Sequence, residues 1–172
     1  SHQWFGNLVT MKWWDDLWLN ESFATLMSYV CVDALYPHWN MWMTFATSET
    51  LSAVRRDYLP GVQPVKVEVN HPDEISTLFD PSIVYAKGAR LLAMLHRYVG
   101  EDAFRDGLAY YFKTHAYKNT IGQDLWDALS TASQHDIVSF MTPWLTQPGL
   151  PIVSITRDTI SKKRFVLGGE NP

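Results

Sequence analysis

Asp80-Pro81-Ser82-Ile83-Val84-Tyr85-Ala86-Lys87-Gly88-Ala89-Arg90-Leu91-Leu92-Ala93-Met94-Leu95-His96-Arg97-Tyr98-Val99-Gly100 reads as one helix with both ends marked. Asp80 can accept from the first free backbone N–H groups. Pro81 suits the first helical position, where no N–H is needed. Val84, Gly88, Leu91, Leu95 and Tyr98 recur at helical spacing and form an apolar face. Lys87, Arg90 and Arg97 fall on another face. Gly88 sits where a missing side chain permits close helix packing. Gly100 is a natural stop, because it tolerates the backbone that closes a helix.

The same period extends outward on both sides. A helix is predicted from about Asp16 to Ala34, with Phe23, Met27, Val30 and Ala34 on one stripe and Pro37 ending it. A second covers Asn40 to Asp57, carrying Trp42, Phe45, Leu51 and Val54. Tyr58 to His71 holds Pro60, Gly61 and Pro64 and is extended or looping. The alternation of Val65, Val67 and Val69 permits a short strand there, and a helical turn follows at Asp73 to Leu78. Downstream, Glu101 to Ala116 is helical, with Phe104, Leu108, Tyr111 and Phe112 facing inward. Thr120 with Gln123 forms a capping box opening a helix to Ala132. A last helix covers Ile137 to Thr146, and Pro148-Gly149 breaks it.

The expected fold is therefore mainly α. Pro151 to Thr156 and Arg164 to Leu167 look like two strands, which are marginal by themselves in water. Residues 1–149 are read as one partial domain and 150–172 as the opening of another. The chain opens at Ser1 rather than Met and reads as a piece of something longer.

Composition narrows the function classes. Of 172 residues, 47% are apolar and 19% charged, a globular balance that excludes wholesale disorder. Lys plus Arg is 14 against 18 Asp plus Glu, a formal charge of -4, which disfavours nucleic acid as the main partner. No run of 18 apolar residues exists to span a membrane. One cysteine, Cys31, excludes an internal disulfide and fits a reducing, cytoplasmic setting. It lies on the apolar side of its helix and reads as a small buried hydrophobe. No P-loop, dinucleotide fingerprint or serine elbow is present.

Three residues are candidates for chemistry. His2 lies in Ser1-His2-Gln3-Trp4-Phe5-Gly6, read as the end of a helix running into a turn at Gly6-Asn7 and too short to be stable alone. Glu21 lies in Leu17-Trp18-Leu19-Asn20-Glu21-Ser22-Phe23-Ala24, followed by the small residues Ala24, Thr25 and Ser28. An isolated glutamate there is an ordinary first-turn carboxylate favoured by the helix dipole. Tyr85 lies in Tyr85-Ala86-Lys87-Gly88-Ala89, and a random tyrosine there is a half-buried aromatic. Trp13, Trp14 and Trp18 fit core packing better than a pocket wall. His38, His71, His96, His115 and His135 lack partners at ligand spacing.

Taken together, these runs resemble the aminopeptidase N family of zinc metallopeptidases, in the gluzincin group. Its pattern is H-E-x-x-H, then 18 residues, then a glutamate. Between His2 and Glu21 lie 18 residues, Gln3 to Asn20. The resemblance makes His2 the second zinc histidine and Glu21 the third ligand. It puts the first histidine and the catalytic glutamate before Ser1. Tyr-x-Lys-Gly-Ala is similar to the segment holding the family's catalytic tyrosine, so Tyr85 is the implied oxyanion donor. Gly100-Glu101 with Phe104, Tyr117-Lys118-Asn119-Thr120, Asp124-Leu125-Trp126, Trp144, Gln147-Pro148-Gly149 and Pro151 extend the likeness over nearly the whole chain.

The fold so implied is the helical carboxyl-terminal part of a thermolysin-like domain, with a short β tail from a β-sandwich domain. The implied function of the parent is a zinc aminopeptidase acting on peptide substrates, with one zinc ion. The 172-residue chain is itself expected to be inactive, with zinc absent or weakly held. Its exposed apolar surface is expected to drive self-association. The rival readings are an epoxide-hydrolase-type member of the same family and a helical interaction module without catalysis.

Overall fold

A computed structural model describes residues 1–169. Hydrogen-bonded turns over residues 1–8 lead into a short strand, Val9–Met11 (β1). A single 3₁₀ turn at Trp14–Asp16 precedes helix Trp18–Leu35 (α1). Met41–Phe45 (α2), a π-helical run Ala46–Thr50 and Leu51–Asp57 (α3) form one rod without a break. Next come a 3₁₀ segment, Pro72–Leu78, and a π-helical turn, Pro81–Lys87, that runs directly into Gly88–Val99 (α4). Glu101–His115 (α5), Lys118–Thr120 (β2), Gly122–Ser133 (α6) and Ile137–Thr146 (α7) complete the body. Leu150–Ile155 (β3) and Ile160–Phe165 (β4) close the chain as an antiparallel hairpin.

The mainly helical expectation holds. The core joins Phe23 and Leu26 of α1 to Ile83, Leu92 and Leu95 of the central helix. Leu125, Leu129, Ile137 and Met141 continue it on α6 and α7. Trp18 is buried and stacks on Trp126 at 4.9 Å, whereas Trp13 is exposed and donates its indole N–H to the Val69 carbonyl at 2.8 Å. Gly107 lets α5 close on α6, because a Cβ there would meet Leu129. Among the described residues, no helix is long and apolar enough to cross a membrane.

Several local expectations are corrected. α1 starts at Trp18, because Asp16 is spent elsewhere: its buried carboxylate accepts from Trp18 Nε1, Lys66 Nζ and the Gly122 N–H. Val65 to Val69 is not a strand, and the chain bends at Val65 and Lys66. Val65 and Val69 are buried, yet Lys66 finds only the Leu145 carbonyl as a backbone acceptor there. Thr120 does not cap α6. It lies in β2 and hydrogen-bonds Tyr111, while Asp124 takes the Ile121 N–H. The parallel pairing of β1 with β2 joins residues over 100 positions apart and leaves no local sequence mark.

Cys31 is exposed rather than buried, on a part of α1 that lies beyond the core. Lys87 is not on a solvent face. It is 7% exposed, because it stands three residues after Val84 and four before Leu91, on the side of the helix that packs inward, and its ammonium meets Asp57. The β hairpin is exposed along most of its length. Of the tail read as a second domain, residues 170–172 lie outside the described residues.

Candidate active site

Helix α1 meets the junction of the π-helical turn with α4 at two small residues. A Cβ at Gly88 would lie 2.7 Å from the Ser22 Cβ, closer than real Cβ atoms approach. Ser22 is buried and donates to the Val84 carbonyl at 2.6 Å. That close approach brings together the next residues along, Glu21 and Tyr85. Partial burial raises the Tyr85 pKa above its ordinary 10.0, and the charge and hydrogen bond of the Glu21 carboxylate push it the same way. The hydroxyl is thus held in its protonated, donating form.

His2 reaches the same carboxylate from the amino-terminal turns. Those turns are held by packing and not by helix length. Phe5 is buried, stacks on Phe23 at 4.4 Å and meets Phe112 edge-on at 4.9 Å. His2 Nδ1 lies 3.0 Å from the Phe5 carbonyl. A carbonyl only accepts, so Nδ1 carries the proton and Nε2 keeps a lone pair in the neutral ring. Gly6, at φ +135°, lies against this residue: a Cβ there would crowd the His2 carbonyl at 3.2 Å and touch the ring Nδ1 at 3.4 Å.

His2 Nε2 stands 3.4 Å from Glu21 Oε2. Two ligands on a tetrahedral zinc, with bonds of about 2.0–2.2 Å, are separated by about 3.3–3.5 Å. The separation, the nitrogen-and-oxygen donor set and the fixed tautomer all fit a shared metal ion. Among the described residues, no group of three His, Cys, Asp or Glu forms such a site. Two donors converge here.

Asn20, beside Glu21, went unnoticed in the sequence. Its amide N–H₂ donates to Thr10 Oγ1 at 3.1 Å and lies 2.9 Å from Met11 Sδ, while its buried Oδ1 finds no partner among the described residues. A buried asparagine looks no different in sequence from a surface one. The other histidines stay outside the site. His96 pairs with Glu101 at 2.6 Å and His71 with Asp73 at 3.3 Å, each with a single carboxylate.

The profile of the peptidase family M1 domain matches residues 1–144. The aminopeptidase N of Lactococcus lactis subsp. cremoris is 58% identical over 172 residues, covering 98% of this chain and 20% of that protein. The aminopeptidase N of Lactobacillus helveticus is 53% identical, again over 98% of this chain and 20% of its own length. A leucyl aminopeptidase of Saccharolobus solfataricus is 44% identical over 98% of this chain and 22% of its own length. The chain thus spans about a fifth of the curated relatives it matches. With a family match over most of its length, the chain belongs to peptidase family M1.

Proposed function

We propose that a longer protein containing this chain is a zinc aminopeptidase that removes amino-terminal residues from peptides. The observation that carries this reading is the 3.4 Å separation of His2 Nε2 and Glu21 Oε2, with Tyr85 facing the same carboxylate. The names of the relatives support the reaction class.

His2 and Glu21 would hold the ion with a third ligand from outside these 172 residues. When bound, zinc supplies a Lewis acid and a water of lowered pKa. His2 keeps its Nε2 outward because its other nitrogen is committed to Phe5. Glu21 supplies a negative oxygen donor on a helix fixed by Ser22. Tyr85 donates its O–H to the oxyanion that develops at the scissile carbonyl, a contribution of about 2.7–4 kcal/mol. The general base, a glutamate in the family pattern, would also come from outside the chain. The 172-residue chain alone therefore holds zinc weakly or not at all and lacks peptidase activity. Residues 150–172 open a further domain, and the single cysteine suits a cytoplasmic setting.

Metal analysis after dialysis tests the ligand assignment. The longer protein should keep one zinc per chain and lose it in His2→Ala and in Glu21→Ala, with helical circular dichroism intact. Full zinc in both variants would overturn the assignment. Tight stoichiometric zinc on the 172-residue chain would overturn its predicted inactivity.

A further inference from the structure

Tyr85 must hold its hydroxyl in one place, yet it sits on a π-helical turn, a local geometry that ordinary helix bonding does not favour. Something has to fix that turn. From α1, Ser22 donates to the Val84 carbonyl. From α3, three links reach the same turn. Arg56 Nε pairs with Asp80 at 2.8 Å, Ser52 with Ser82 at 2.8 Å, and Lys87 Nζ with Asp57 at 2.9 Å.

Only the last of these α3 links is deeply buried. The Lys87 side chain is 9% exposed and that of Asp57 3%. Burial pulls the Lys87 pKa down and the Asp57 charge pulls it back up. The pair does more than close the turn. Asp57 Oδ1 also accepts from the Gly149 N–H at 2.9 Å, and Lys87 Nζ also donates to the Gln147 carbonyl at 3.1 Å. One carboxylate and one ammonium thus join the end of α3, the end of the Tyr85 turn and the segment leading into the β hairpin. A polar knot of this kind holds three elements in one register, because any shift of one leaves a buried charge without its partner.

We propose that Lys87 and Asp57 are positioning residues for Tyr85, fixing the π-helical turn that carries its hydroxyl and tying that turn to the Gln147–Gly149 junction. This rests on Tyr85 acting as the oxyanion donor. Neither residue touches substrate. Displacement of the junction reaches the active site through Lys87.

A thermodynamic cycle in the longer, zinc-loaded protein tests it, with Lys87→Gln, Tyr85→Phe and the pair together. Lys87→Gln should lower kcat at least tenfold with KM and zinc content little changed. It should lower kcat no further in the Tyr85→Phe background. Additive losses, or a Lys87→Gln enzyme with full kcat, would overturn the inference. A silent Tyr85→Phe would instead remove the reading on which it rests. The 172-residue chain gives a readout independent of activity. With fluorotyrosine incorporated, the Tyr85 resonance should move in Lys87→Gln and in Asp57→Asn at fixed pH, with helical content retained. An unmoved resonance in both variants would count against the positioning role. If Lys87→Gln fails to fold, Asp57→Asn, which keeps the shape and the Gly149 contact, carries the same two tests.

Discussion

The Ser22 hydroxyl donates a 2.6 Å hydrogen bond to the Val84 carbonyl, and these two residues are the chain neighbours of Glu21 and Tyr85. The bond is buried, so it is shielded from competing water. It sets how closely α1 approaches the π-helical turn, and therefore where the carboxylate and the phenol meet.

Gly88→Ala should disturb that approach. The added Cβ would press on Ser22, where neither side chain has a long flexible end to move. A loss of about 1–3 kcal/mol is expected, as for overpacking elsewhere in cores. Urea unfolding measures it. The double variant with Ser22→Gly should recover part of the loss, and equal stability of Gly88→Ala and the parent chain would refute the contact.

Tyr85→Phe keeps the ring and removes one oxygen. In the longer protein, kcat is expected to fall about 10²–10³-fold with zinc content intact. Steady-state kinetics with metal analysis decides it. A near-normal kcat would leave Tyr85 as an ordinary helix residue.

Tyr111 should shape the alkaline end of the stability curve. Burial raises its pKa from 10.0 to about 12, while its hydrogen bond with Thr120, at 2.6 Å, opposes the rise. The folded value lies above the unfolded one, so the fold favours the neutral phenol. Its contribution is whole below the unfolded value and is lost as pH rises toward about 12. About 3 kcal/mol is at stake over that window, at about 1.36 kcal/mol per unit. Urea midpoints across it should fall less steeply in Tyr111→Phe than in the parent chain. Parallel slopes would show that Tyr111 titrates as it does when unfolded.

The hairpin should drive self-association of the 172-residue chain. Ile152, Val153 and Ile155 of β3 are about half or more exposed, whereas β4 carries Lys162, Lys163 and Arg164. Charged residues guard one edge and leave the other open. Light scattering should report oligomers at high concentration that Val153→Lys dissolves. A monomer at every concentration would end this expectation.

The helices were legible because their marks are local. Asp80 and Pro81 announce a start, Gly100 a stop, and Leu91 and Leu95 repeat at the helical period between them. The stop at Pro37, the apolar face of α5 and the extent of α7 were readable for the same reason. His2, Glu21 and Tyr85 were named from the resemblance to the aminopeptidase N family, and the structure gathers all three at one carboxylate.

What could not be read was whatever depends on a distant partner. Val65, Val67 and Val69 alternate as a strand does, but pairing needs a second strand that this segment does not meet. Thr120 reads as a cap until Tyr111 takes its hydroxyl. Lys87 reads as one of three cations on a face apart from the apolar stripe, but it is buried against Asp57, thirty residues earlier. Sequence alone determined which segments are helical, because those follow from period, and its likeness to a known family marked which residues to inspect for a metal or an oxyanion. Only the tertiary structure decided that Ser22 and Gly88 touch, that His2 turns its Nδ1 to the Phe5 carbonyl, and that Lys87 is buried. Those follow from packing between segments far apart in the chain, where one missing Cβ or one buried carboxylate sets the geometry.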